Sequence, residues 1–312
     1  MDVPLWAWAA VSALIVGVLL VDLLVFHRHA HEVSMREAAW SSALWVALGV
    51  SFGGVVWATA GGDRAGEYFA GYLIEKSLSV DNIFVFALLF SYFGVAAAHR
   101  HRLLFWGVLG ALVFRGIFIA GGAALLESFG WIIYLFGGFL IYTGVKMARH
   151  GDQEVHPERN PVLKLLRRVM PVTDEYHGTR FFVRHAGRTL ATPLLAVLVA
   201  IETTDILFAV DSIPAIFAVT DEPFLVFTSN AFAILGLRAL YFLLAGMIDR
   251  FVYLKYGLAA ILVFVGIKMV IVDVWHVPIV LSLAVIATVL AVSIVVSLRA
   301  TRPNPAPEDV NV

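Results

Sequence analysis

Nine apolar stretches recur along the chain, near residues 5–26, 38–60, 68–93, 103–126, 129–147, 191–219, 224–247, 251–272 and 277–298. Each is close to the roughly 20 residues a helix needs to cross the hydrocarbon core of a bilayer. Lipid is therefore the solvent for most of the chain. The composition agrees, at 61% hydrophobic and 14% charged residues, where a soluble domain carries about 25% charged. So little polar material cannot coat a water-soluble globule. The reading is an all-α polytopic membrane protein with about nine transmembrane helices. A net charge of −1 gives no electrostatic case for a nucleic-acid partner. The absence of cysteine removes disulfides, thiolate metal sites and thiol nucleophiles together. The first stretch does not begin as a signal peptide does, because Asp2 precedes it and Arg28 follows it.

Alternate loops of a nine-span chain fall on opposite sides. The side holding the C-terminus collects 17 of the 22 Lys and Arg residues, whereas the other has only Arg64 and Lys268. Lys76, Arg115 and Arg238 remain inside spans. The positive-inside rule then puts the C-terminus in the cytoplasm and the N-terminus outside, in the cell (inner) membrane. The long loop at 148–190 is cytoplasmic on this count. Its segment 161–170 mixes Val162, Leu163, Leu165, Leu166 and Val169 with Lys164, Arg167 and Arg168. That pattern reads either as a basic amphipathic helix on the inner leaflet or as a cytoplasmic helix packed on the loops. The run Arg180 to Arg184, leading to Gly187, predicts a short hairpin. The tail after Arg299, rich in proline and acids, predicts disorder.

Three segments occur twice in the same order. SVDNIF at 79–84 matches AVDSIP at 209–214; Arg115 in LVFRGIF matches Arg238 in LGLRALYF; GVKM at 144–147 matches GIKM at 266–269. The offsets are 130, 123 and 122 residues. Each unit holds three helices, and three is odd, so the second unit is inverted relative to the first. Such repeats are common in secondary transporters, with the ion site near the midplane at their interface. The expected organisation is two N-terminal spans (1–66), a first repeat (67–147), the cytoplasmic loop (148–190), a second repeat (191–272), and a last span with its tail (273–312).

Eight ionisable residues lie well inside spans: Glu75, Lys76, Asp81, Arg115, Glu202, Asp205, Asp211 and Arg238. Asp22 sits near the end of the first span. A charge at the bilayer centre costs roughly 2.5–3.5 kcal/mol on insertion scales, so eight unpaired ones would oppose insertion by about 20 kcal/mol. Internal salt bridges to Arg115 and Arg238 answer part of this. Five acids against three bases leave two negative charges over, which one divalent cation or two protons would neutralise. The nearby donors are oxygens, from Ser77, Ser79, Asn82, Thr203, Thr204 and Ser212, with no histidine clearly inside a span. Oxygen ligation suits Mg, Ca or Mn and disfavours Cu, Zn or Ni.

Helical periodicity limits what these acids can share. Glu202 and Asp205 are three apart and lie on one face. Asp211 is about 180° from Glu202, and Asp81 about 120° from Glu75, at roughly 100° per residue. No straight helix aims all of them at one ion. Pro214 removes the hydrogen bond to the Val210 carbonyl. It marks either a break that frees carbonyls beside Asp211 or a plain packing kink.

The motifs EKSLSVDNIFVF at 75–86, IETTDILFAVDSIPAIFAVT at 201–220 and TSNAFAILGLRALYF at 228–242 resemble the TerC family of integral membrane proteins, and within it the Alx-type members. The resemblance covers most of spans three to eight and the cytoplasmic loop. The family is similar in topology to the LysE transporter superfamily, with two inverted three-helix units. The resemblance implies manganese export, a link to alkaline pH and, by name, tellurium resistance. The family's acidic positions fall on Glu75, Asp81, Glu202, Asp205 and Asp211.

The reading that follows is export of a divalent cation, Mn2+ above others, with no permanently bound cofactor and the ion and the lipid bilayer as partners. Asp81 and Asp211 are expected as pseudo-symmetric ligands. Glu75, Glu202 and Asp205 complete the site or relay protons, and Asp22, Asn82, Ser212, Arg115 and Arg238 support it, the arginines holding acids in place when the ion is absent. An intramembrane aspartyl protease would use two such aspartates. Yet no HExxH, GxSxG or GxGD-like sequence accompanies them, so no enzyme is expected. The alternative is a non-transporting membrane partner that senses metal or assists membrane-protein insertion.

Overall fold

A computed structural model describes residues 3–21, 34–149, 161–173, 176–178, 180–185, 188–244 and 253–300, without the side chains of Asp81, Phe84, His185 and Arg188. Asp22 and the acidic tail lie outside the described residues. The described chain is mostly helical. Its elements run α1 (Leu5–Val21), α2 (Met35–Ala60), α3 (Gly62–Tyr92), α4 (Ala97–Ser128), α5 (Ile132–Arg149), α6 (Pro161–Val169), β1 (Phe182–His185), β2 (Arg188–Ala191), α7 (Pro193–Phe217), α8 (Pro223–Leu235), α9 (Leu237–Leu244), α10 (Leu254–Val270) and α11 (Ile279–Ala300). β1 and β2 pair antiparallel, with Phe182 opposite Ala191. They form the hairpin expected from the sequence.

Among the described residues five helices are long and apolar enough to cross a membrane: α2, α4, α5, α7 and α11. α8 and α9, bent by 41° at Gly236, make a sixth if they are one span. The sequence count of nine also takes in α1 and α10, which have 17 described residues each. It takes in α3 too, which has 31 residues but carries Glu75, Lys76 and Asp81 in its middle.

Contacts between helices set their directions. α2 and α3 are antiparallel around Gly61, whose φ of 88° turns the chain between them. Farther from the turn, the room left by Gly53 and then Gly49 is taken by the rings of Phe69 and Tyr72. α4 and α7 run parallel: Gly107 meets Ile201 and Gly122 meets Phe217. α3 and α8 are parallel too, through Gly71 against Ser229 and Lys76 against Ala233. α5 and α10 are antiparallel and touch backbone to backbone. A Cβ at Gly137 would fall 2.8 Å from the Gly266 carbonyl oxygen, and one at Gly144 would fall 2.8 Å from that of Ala259. Under the 122-residue offset Gly137 corresponds to Ala259 and Gly144 to Gly266, so these two contacts exchange with each other.

The polar ends of the bundle differ. At one end Arg64 pairs with Glu67 at 2.8 Å and with Glu222 at 3.1 Å, and the Thr220 hydroxyl donates to Glu67. At the other, Arg102 lies over the Phe181 ring and the Tyr176 hydroxyl donates to the Phe93 carbonyl. The helix does not break at Pro214; α7 runs through it to Phe217. Proline deletes one hydrogen bond, and here only three helical residues follow it. The break falls instead at Gly236. There a side chain would meet the Lys76 ammonium and Trp45, each 2.9 Å from a Cβ.

Candidate functional site

Arg115, buried on α4 at 1% exposure, is the hub of a polar cluster inside the bundle. Its guanidinium grips Asp205 of α7 with two parallel bonds, Nε to Oδ2 at 3.1 Å and Nη2 to Oδ1 at 3.0 Å. Nη1 donates to Glu75 of α3 and, at 3.2 Å, to the Ser212 hydroxyl. This is the fork geometry that makes arginine the preferred buried partner of carboxylates. Two amides close the cluster. Asn230 Nδ2 of α8 donates to Glu75 Oε2 at 3.0 Å, and Asn82 Nδ2 of α3 donates to Asp205 Oδ1 at 3.4 Å. The Asn82 Oδ1 is buried with no hydrogen-bond partner among the described residues. Glu75 is fully buried and Asp205 nearly so.

Glu75 and Asp205 are 130 residues apart, the same offset that relates Asp81 to Asp211. Each helix therefore carries an acid, five residues, and a second acid. Asn82 bonds Asp205, and its counterpart Ser212 shares the Arg115 Nη1 donor with Glu75.

The other acids stand apart from Arg115. Glu202, one turn before Asp205, fills the space left by the missing side chain of Gly110 on α4, and its Oε2 has no hydrogen-bond partner among the described residues. Asp211 accepts from the Thr143 hydroxyl of α5 at 3.3 Å. Asp81 lies on α3, six residues beyond Glu75. Arg238 is buried on α9. Among the described residues no group of three or more His, Cys, Asp or Glu side chains is gathered around a common point for a metal ion. Two acids share one arginine instead.

Of the residues named from the sequence, the structure brings Glu75, Asp205, Arg115, Asn82 and Ser212 together; Asn230, Gly110 and Thr143, which touch Glu75, Glu202 and Asp211 in turn, are not among those named. An amide inside the apolar TSNAFAILGL segment was the available signal for Asn230. Nothing local signals Gly110 or Thr143, whose roles come from packing between distant helices.

The family model described as "Integral membrane protein TerC family" matches residues 60–304. A Myxococcus xanthus protein named "Uncharacterized membrane protein STKORF319" is 53% identical over 96% of this chain and 93% of its own length. The Escherichia coli K12 protein named "Putative membrane-bound redox modulator Alx" is 48% identical over 93% of each chain. A Rickettsia bellii membrane protein is 38% identical over 94% of this chain and 97% of its own. No solved structure matches. With a family model spanning the bundle from the start of α3 to the end of α11, and relatives matched along nearly their whole length, the chain belongs to the TerC family of integral membrane proteins.

Proposed function

We propose that the chain is a transporter, not an enzyme, that exports a divalent cation, Mn2+ above others, across the inner membrane. The observation that carries this reading is the burial of Glu75 and Asp205 together with a single arginine. Acids inside a membrane bundle mark ion paths by default. Here they come from corresponding positions of two helices. Arg115 is then the tethered cation of the state described, and an incoming ion takes its place. Two carboxylates, the unpartnered Asn82 Oδ1, the Ser212 hydroxyl and the Asn230 amide form an oxygen set suited to a hard cation.

The same reading takes α3–α5 and α7–α10 as two inverted units within nine spans, with the N-terminus outside. The exchanging contacts of α5 with α10, and the equal spacing of Glu75 from Asp205 and of Asp81 from Asp211, support it. Along α3, Asp81 lies about 9 Å nearer the cytoplasm than Glu75, at 1.5 Å per residue. Along α7, Asp211 lies about the same distance nearer the outside than Asp205. The two flank the buried pair as entry and exit ligands, and Glu202 continues the path one turn toward the cytoplasm. The name redox modulator belongs to the relatives. This chain has no cysteine with which its own side chains could exchange thiol for disulfide.

Flux into or out of sealed proteoliposomes holding the purified chain tests the reading. Wild type is expected to move Mn2+ and to leave Zn2+ and Cu2+ behind. Glu75→Gln and Asp205→Asn are expected to abolish the flux while remaining folded in detergent. Absence of Mn2+ flux in wild type, or full flux in both folded variants, overturns it.

A further inference from the structure

α6 has three faces where a helix packed on protein alone needs two. At about 100° per residue, Leu163 and Leu166 point to one side, and both join the core beside α7. Val162, Leu165 and Val169 fall on the adjoining side and remain 41%, 57% and 74% exposed. Lys164, Arg167 and Arg168 occupy the remaining arc, all exposed, and none makes an ion pair among the described residues.

The helix is pinned at the end of a long apolar helix. Just past its C-terminus, the Ala191 amide donates to the Pro171 carbonyl and the Thr173 amide donates to the Ala191 carbonyl, at 3.0 and 2.9 Å. Ala191 stands two residues before α7 begins. α6 therefore sits where a spanning helix enters the bilayer, and its surplus apolar stripe lies beside a row of bases. Apolar residues that dip below the headgroups and bases at headgroup level are the marks of an interfacial helix.

We propose that α6 is a docking surface for anionic phospholipid. Val162, Leu165 and Val169 enter the acyl boundary, while Lys164, Arg167 and Arg168 hold headgroup phosphates. Bound lipid thereby fixes the start of α7, the helix that carries Glu202, Asp205 and Asp211. The proposal does not depend on what the protein transports.

The cysteine-free chain allows a direct test in nanodiscs of phosphatidylcholine, with or without phosphatidylglycerol. A spin label at Val169→Cys should collide with oxygen in the acyl region more than with an aqueous nickel chelate. A label at Arg168→Cys should show the reverse. Neutralising the bases by Lys164→Gln, Arg167→Gln and Arg168→Gln together should lower retention of phosphatidylglycerol by roughly fivefold per base, read by native mass spectrometry of the full chain. Equal aqueous access at both labels would overturn the proposal by showing a stripe open to the cytosol or to a protein partner. An unchanged lipid preference in the folded triple variant would overturn it as well.

Discussion

Arg115 and its acids respond differently to removal. Arg115→Gln leaves Glu75 and Asp205 buried without their shared cation. Stranding buried charge in this way costs about 3–5 kcal/mol. Thermal unfolding in detergent should therefore show a large loss of stability. On the proposed function, added Mn2+ should restore more of it in Arg115→Gln than it adds to wild type, because the ion would take the carboxylates that the guanidinium otherwise holds. A destabilised variant that Mn2+ does not rescue would argue that the cluster is a structural salt bridge alone. Asp205→Asn should cost less, since Arg115 keeps Glu75. At this scale the sequence was informative wherever a charge stood in an apolar run, as at Glu75, Arg115 and Asp205. It was silent at Gly110, because a missing side chain that makes room for Glu202 leaves no mark in composition.

Among the elements, α5 and α10 pack closely through glycine. A Cβ at Gly266 would lie 2.7 Å from the Gly137 carbonyl oxygen, and backbone on both sides leaves nothing to swing away. Gly266→Ala should destabilise the protein by about 1–3 kcal/mol, the usual cost of overpacking. Gly138, one residue from the contact, has nothing within 4 Å. Gly138→Ala should be neutral or should stabilise by up to about 1 kcal/mol through helix propensity. Unfolding midpoints of the two variants measure the difference, and equal midpoints would deny the close crossing. The matching GVKM and GIKM segments stand out in the sequence, but their glycines do not announce a helix crossing, because the partner lies more than 100 residues away. Of the two readings open for Pro214, a break or a plain packing kink, the unbroken α7 excludes the break. Proline announces itself in sequence, yet Pro214 near the end of α7 perturbs little. Gly236 looks ordinary until Lys76 and Trp45 are seen to occupy its Cβ space.

For the whole molecule, the separation of charge along the bundle carries the orientation. Arg64, Glu67, Thr220 and Glu222 gather at one end, and the basic loop elements α6, β1 and β2 gather at the other with Arg102. On the proposed nine-span arrangement, seventeen bases fall on one side against two on the other, and the positive-inside rule then puts the α6 end in the cytoplasm. Because the chain has no cysteine, single cysteines report sidedness without background. Asp221 has a side chain 94% exposed at the Arg64 end, and Lys164 is exposed at the other. A membrane-impermeant maleimide should label Asp221→Cys in intact cells. It should reach Lys164→Cys only after the inner membrane is opened. The reverse pattern would invert the orientation and turn export into uptake for the same site. Labelling of both positions from outside would place the two ends on one side of the membrane, which neither nine alternating spans nor two inverted units can produce.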